Sequence, residues 1–265
     1  MNKKIIHIIE STATGTLSAM RGLANSQSNE GNHVTIIYSK RSDTPKELSN
    51  LFNPSIDLIN IQMSSFFTIL ISFIKIFRFI KKINPDYIFL ASSTAGFIGR
   101  IAGLFLNKKI KFFYIPHCIS YIRKDIGLLK KIIFISLELI ASLKKSVIIA
   151  CSKSEIKQIK KYIKLSPSFL VENAVTPEYI KLKLNDKRDK NIVTIGGIRP
   201  QKDPENFAKI AKEVREKDHT ISFTWIGDGD NKSKKLLIES GVEVTGWIET
   251  TVVKNKLLNS TLYLS

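Results

Sequence analysis

Apolar residues recur along this chain in two alternating modes, short continuous runs and longer stretches at three- and four-residue spacing. The runs at 4–9, 33–38, 56–61, 86–91, 110–115, 147–151 and 168–171 predict strands buried on both faces. Between them, helical spacing covers 16–30, 63–83, 94–106, 128–143 and 154–162. Parallel neighbours need crossover helices, so this order implies a doubly wound α/β sheet. The pattern lapses over 172–190, where Pro177 and several charges mark an interdomain connection. It then restarts, with strands at 192–195, 221–226, 242–245 and 261–264 and helices at 204–217, 231–240 and 250–259. Two tandem Rossmann-like domains are predicted, residues 1–175 and 176–265.

Composition supports packed domains. Of the 265 residues 43% are hydrophobic and 24% charged, which excludes a disordered chain. Cys118 and Cys151 form no C-x-x-C pair, so no disulfide framework or zinc site is expected and a cytoplasmic setting fits. The net charge of +18 is uneven: residues 1–150 hold 20 Lys and Arg against 8 Asp and Glu, residues 151–265 hold 21 against 15. Such a surface attracts polyanions, either nucleic acid or anionic lipid, although a lysine- and isoleucine-rich composition also contributes. There is no zinc-finger spacing, RNP-like aromatic motif or helix-turn-helix, and nucleic acid is not expected as a partner.

Lys3 and Lys4 precede only a short apolar run before Glu10, so a signal peptide is not read. The two greasiest stretches carry charges, Lys75, Arg78, Lys81 and Lys82 in 63–83 and Lys130, Lys131 and Glu138 in 128–143, too many for a transmembrane helix. Ser65, Thr68, Ser72, Lys75, Arg78 and Lys82 fall on one face of the first. It reads equally as a sheet-covering helix with a solvated basic edge and as a peripheral contact to an anionic membrane surface.

The densest candidate chemistry lies in Gly196-Gly197-Ile198-Arg199-Pro200-Gln201-Lys202-Asp203, between a predicted strand and helix. Glycines admit close backbone approach, the helix N-terminus adds partial positive charge, and Arg199 and Lys202 add full charges, a set suited to a diphosphate. An ordinary turn with two exposed bases is the plain alternative. His117 follows a strand at the sheet edge where ligands gather, and a loop-capping role is its alternative. His7 reads as core, and His33 and His219 as turn residues. Asp228-Gly229-Asp230 matches a D-x-D metal motif, but Asp230 also makes a good helix N-cap, and no metal is expected. Gly15 stands alone after the first strand, without the G-x-G-x-x-G of a nicotinamide or flavin site.

Taken in order, these segments resemble the GT-B glycosyltransferases, in particular family 4 of retaining, nucleotide-sugar-dependent enzymes. The Gly196–Asp203 loop is similar to the family's donor-diphosphate segment, and Gly227 sits in its next glycine turn. Gly246 and Trp247 match the segment that meets the nucleobase, Gly15 the loop facing the phosphates, and 171–175 the interdomain junction. The resemblance implies a hexosyltransferase without cofactor, using a nucleotide diphosphate sugar and a glycan or lipid-linked acceptor in an interdomain cleft. It implies that Arg199 and Lys202 hold the leaving group and that His117 bonds the donor sugar. Work on bacterial surface polysaccharide at the inner face of the cell membrane is the corresponding expectation. Ser265 falls just before the family's paired-glutamate segment, so a C-terminal truncation is expected, and an inactive nucleotide- or partner-binding relative is the alternative.

Overall fold

The computed structural model describes residues 2–41, 43–63, 66–123, 125–174, 183 and 185–265. The chain divides into two compact units, Met1–Ala174 and Val175–Ser265.

The first unit is built on β1 (Lys4–Ile9), β2 (His33–Tyr38), β3 (Asp57–Asn60), β4 (Tyr87–Ala91), β5 (Lys111–Ile115), β6 (Val147–Ala150) and β7 (Ser168–Leu170). They form one parallel seven-stranded sheet in the order β3-β2-β1-β4-β5-β6-β7. The order reverses at β1, which pairs with β2 on one side and β4 on the other, and this opens a crevice at the strand C-termini. Period-two alternation sends Ile5 and Ile9 to one face, against Leu17, Met20 and Ala24 of α1 (Thr14–Asn29). Ile6 and Ile8 go to the other face. There they meet a layer drawn from α2 (Phe66–Ile83), α3 (Ser93–Gly103), α4 (Leu128–Ala141) and α5 (Lys153–Tyr162). His7 is a core residue as the sequence suggested, stacked on Phe89 at 4.9 Å with Nε2 at 2.7 Å from Gln27 Oε1. Burial lowers its pKa to about 4, so it packs as a neutral ring.

One buried ion pair crosses the helical layer. Arg100 on α3 is fully buried, with Nη2 donating to Glu138 Oε2 of α4 at 2.6 Å and Nε donating to Gly96 O at 2.8 Å. Its guanidinium lies 4.1 Å from the Tyr114 ring centroid, and the Tyr114 hydroxyl donates to Glu138 Oε1 at 2.7 Å. The fit requires a glycine, since a Cβ at position 96 would overlap the Tyr114 ring.

The second unit repeats the plan. Its strands β8 (Asp189–Ile195), β9 (Ser222–Ile226), β10 (Val242–Val244) and β11 (Ser260–Tyr263) lie parallel in the order β10-β9-β8-β11. The crossovers are α6 (Pro204–Lys217), α7 (Asn231–Glu239) and α8 (Thr250–Asn259). Phe207 stacks edge-on against Phe223 and Trp225 in the core, joined there by Ala211, Leu237 and Val242.

Three local expectations need correction. His33 opens β2 rather than a turn, because its backbone takes up the ladder opposite Lys4. β8 begins at Asp189, inside the stretch read as connection, with its first residues exposed and polar, so hydrophobic patterning could not mark them. Pro177, the other signal for that connection, lies outside the described residues. Ser72 is buried, its hydroxyl donating to Ile69 O, and does not belong to a solvated stripe on α2. The line α2 presents to the sheet is Ser72, Ile76 and Ile80, which leaves Leu70, Ile71 and Ile74 facing out beside Lys75 and Arg78.

Candidate functional site

In the second unit the turns after β8 and β9 are tied together. Gly196 N donates to Ile226 O, Ile198 N to Asp228 O, Asp230 N to Ile198 O, and Trp225 Nε1 to Gly196 O, at 2.8–3.0 Å. Gly227 lies against the Gly196 carbonyl so closely that a Cβ would overlap it, and its φ of +144° suits glycine alone. Gly227 also forms an antiparallel bridge with Gly246, which brings in the segment after β10.

Arg199 and Lys202 fold back over this glycine backbone. A Cβ built on Gly196 would lie 3.1 Å from Lys202 Cε, and one on Gly197 would lie 3.2 Å from Arg199 Nε and 3.7 Å from Trp247 Cη2. Both cations are exposed, and so is Trp247. Past Lys202, Asp203 takes a left-handed φ of 53° and caps α6, accepting from Asn206 N, with Pro204 as the first helical residue. Seven predicted positions, Gly196, Gly197, Arg199, Lys202, Gly227, Gly246 and Trp247, therefore cluster at the C-terminal edge of one sheet.

The D-x-D carboxylates are engaged elsewhere. Asp228 Oδ1 pairs with Lys234 Nζ at 3.0 Å, a bond that holds its carboxyl below the usual range. Asp230 caps α7, accepting from Ser233 N at 2.8 Å, which lowers its pKa as well. Among the described residues no group of three His, Cys, Asp or Glu is placed to hold a metal ion.

The remaining predicted residues belong to the first unit. Gly15 and His117 line a cavity of about 450 Å³ together with Cys151, Ser152 and Glu155. A Cβ at Gly15 would meet nothing within 4 Å, so no close approach within the chain requires a glycine there. His117 follows β5 with φ 49°, its Nδ1 3.5 Å from Cys151 Sγ and its Nε2 buried without a hydrogen-bond partner. Burial lowers its pKa and the nearby Glu155 partly opposes this, a balance that favours the neutral ring. Glu155 was missed from sequence, although Ser152-x-x-Glu155 is a capping-box pattern that marks the start of α5. Ser152 Oγ does accept from Glu155 N, but the Glu155 carboxylate turns away from the Ser152 backbone toward the neighbouring loops.

The sequence model for Glycosyltransferase Family 4 matches residues 15–179, more than half of the chain. The chain belongs to glycosyltransferase family 4. Solved structures of the same fold include sucrose-phosphate synthase from Thermosynechococcus elongatus, with a TM-score of 0.75 at 13% identity over 99% of this chain and 75% of that one. HepE from Anabaena, solved with UDP and glucose, superposes with a TM-score of 0.67 at 14% identity, over 94% of this chain and 70% of its own. The lipopolysaccharide outer core galactosyltransferase WaaB does so at 0.59 and 18%, over 98% and 73%. No curated protein sequence matches the chain. At these identities the structures establish the GT-B fold, two Rossmann-like domains, and the family match establishes sugar transfer.

Proposed function

We propose that this family 4 protein moves a hexose from a nucleoside diphosphate sugar to a hydroxyl of a bacterial surface glycan or its lipid-linked precursor, with retention at the sugar carbon. The observation that carries the donor half is the seven-residue cluster around Gly196, where two cations and an exposed indole overlie a glycine backbone at the strand ends. As the bond from the sugar carbon to the diphosphate breaks, negative charge grows on the phosphate oxygens. Arg199 and Lys202, already in place, stabilise it more than the ground state. Trp247 and the Gly246 backbone take the nucleobase side. In the first unit, Gly15 lies in the first turn of α1, whose N-terminal amides suit a phosphate, and His117 keeps Nε2 without a protein partner, for a sugar hydroxyl. The charge balance leaves no step for a metal, and transfer should persist in EDTA. HepE with UDP and glucose, and WaaB as a galactosyltransferase, support a nucleotide-hexose donor. The test is release of free nucleoside diphosphate from a panel of uridine, guanosine and adenosine diphosphate sugars. Release from one donor, faster with a glycan acceptor, is expected; none from any donor would refute the reading.

A lipid-linked acceptor fits the outer face of the first unit. Leu70, Ile71 and Ile74 on α2 are 44–66% exposed, and Leu128 and Leu129 on α4 are 75% and 73% exposed. α3 packs against both helices, so the two patches share one side of the sheet. Lys75, Arg78, Lys81, Lys82 and Lys130 flank them. No described helix is long and apolar enough to cross a membrane, so the arrangement suits peripheral docking at the inner face of the cell membrane. Changing Lys75, Arg78, Lys81 and Lys82 to glutamine should abolish salt-sensitive binding to anionic vesicles in a sedimentation assay. Binding to neither vesicle would remove the membrane from the proposal, and equal binding to neutral and anionic vesicles would remove the bases from it.

A further inference from the structure

The loop that carries His117 is held in an unusual shape. His117 and Cys118 are consecutive non-glycine residues with φ of 49° and 83°, a left-handed pair that side chains rarely adopt. Such a turn persists only where its surroundings hold it, and here one carboxylate does so. Glu155 is 4% exposed. Its Oε1 accepts from Cys118 N at 2.8 Å and Ile119 N at 3.0 Å, and its Oε2 accepts from Cys151 N at 2.9 Å. Hydrogen bonds to an ionised acceptor are the stronger kind, and these three join the loop after β5 and the end of β6 to the first turn of α5. That turn is itself fixed, because Ser152 Oγ accepts from Glu155 N at 3.2 Å. The contact between His117 Nδ1 and Cys151 Sγ joins two of the segments so tied. Nε2 is then the imidazole nitrogen left without a partner, on a ring that lines the cavity.

We propose that Glu155 is the positioning residue of this site: it holds the His117–Cys118 turn left-handed and so selects the imidazole nitrogen that meets the donor sugar. The last clause rests on His117 as the sugar-bonding group; the clause about the turn does not. Glutamine at 155 keeps the size but replaces one acceptor oxygen by a donor, so it can serve the Cys118 and Ile119 amides or the Cys151 amide, not both sets. Aspartate keeps the charge but draws it back by one methylene.

The readout for positioning is the nitrogen spectrum of the His117 ring in the full chain, free of ligand. In Glu155→Gln and Glu155→Asp both ring resonances should move, reporting a changed tautomer or ring environment. Loss of the carboxylate in Glu155→Gln should also lower the imidazole pKa, because that charge favours the imidazolium. The other titratable groups lining the cavity, Cys118 and Cys151, are thiols pushed up by burial and stay uncharged through the titration. Binding of nucleoside diphosphate, to which Glu155 and His117 make no proposed contact, should be unchanged in these variants. The kcat should fall at least tenfold with little change in the donor KM, and Glu155→Gln should cost nothing further once His117→Ala is present. Unmoved His117 resonances in either folded variant, or losses that multiply in the double variant, would overturn the proposal. Shifted resonances with a His117→Ala enzyme of full kcat would instead keep the positioning and refute the sugar contact.

Discussion

Replacing Glu138 by alanine should destabilise the first unit by about 3–5 kcal/mol, the usual cost of leaving one member of a buried pair without its partner. The substitution strands the fully buried Arg100, whose Nη1 already lacks a hydrogen-bond partner, and takes the acceptor from the Tyr114 hydroxyl, whose next neighbour, Ser93 Oγ, is 3.4 Å away. It also removes the tie between α3 and α4. Both tryptophans, Trp225 and Trp247, lie in the second unit, so hydrogen exchange of the β5 amides is the suitable probe. Arg100→Leu combined with Glu138→Leu should recover most of the loss, because replacing both charges by apolar groups removes the desolvation penalty with the attraction. A Glu138→Ala protein with β5 protection within 1 kcal/mol of the parent, a margin typical of exposed pairs, would show that the pair is solvated.

Gly227→Ala should disable the proposed donor site and weaken the second unit by at least about 2 kcal/mol, since alanine is strained at positive φ and the new methyl meets backbone rather than a movable side chain. Relief requires the Gly196 carbonyl to retreat, and that oxygen also accepts from Trp225 Nε1 at 2.8 Å. The backbone beneath Arg199 and Lys202 would therefore move. Loss of nucleotide affinity together with a changed Trp225 fluorescence signal is expected. A variant with parental melting temperature and affinity would mean that the two turns do not touch as described.

Most of this architecture was legible in the sequence because each strand is a short apolar run and each crossover helix keeps its period. The exceptions have physical causes. β8 starts in exposed polar residues, where pairing rather than burial defines the strand. Hydrophobic spacing located α2 but could not rank its faces, since Leu70, Ile71 and Ile74 are as apolar as the residues facing the sheet. Glu138 looked like a charge interrupting a greasy stretch. Its partner is 38 residues away, so nothing local distinguishes a buried pair from a solvated one. In the candidate site, Gly196, Gly197, Arg199 and Lys202 were visible because they are contiguous. Trp247 and Gly246 were placed beside them by resemblance, and the structure puts Trp247 against Gly197 and bridges Gly246 to Gly227. Glu155 escaped because two of its three backbone partners, Cys118 and Ile119, lie in the distant loop after β5.

In the proposed reading the Gly196–Lys202 loop holds the diphosphate of a sugar donor. Calorimetric titration of the parent, Arg199→Ala and Lys202→Ala with nucleoside diphosphate and with the matching monophosphate tests it most directly. The parent should prefer the diphosphate, and each substitution should weaken its binding by about 1.5–3 kcal/mol, the range for hydrogen bonds to charged groups, while monophosphate binding changes less. Diphosphate affinity unchanged in both variants, with the parent binding measurably, would contradict it.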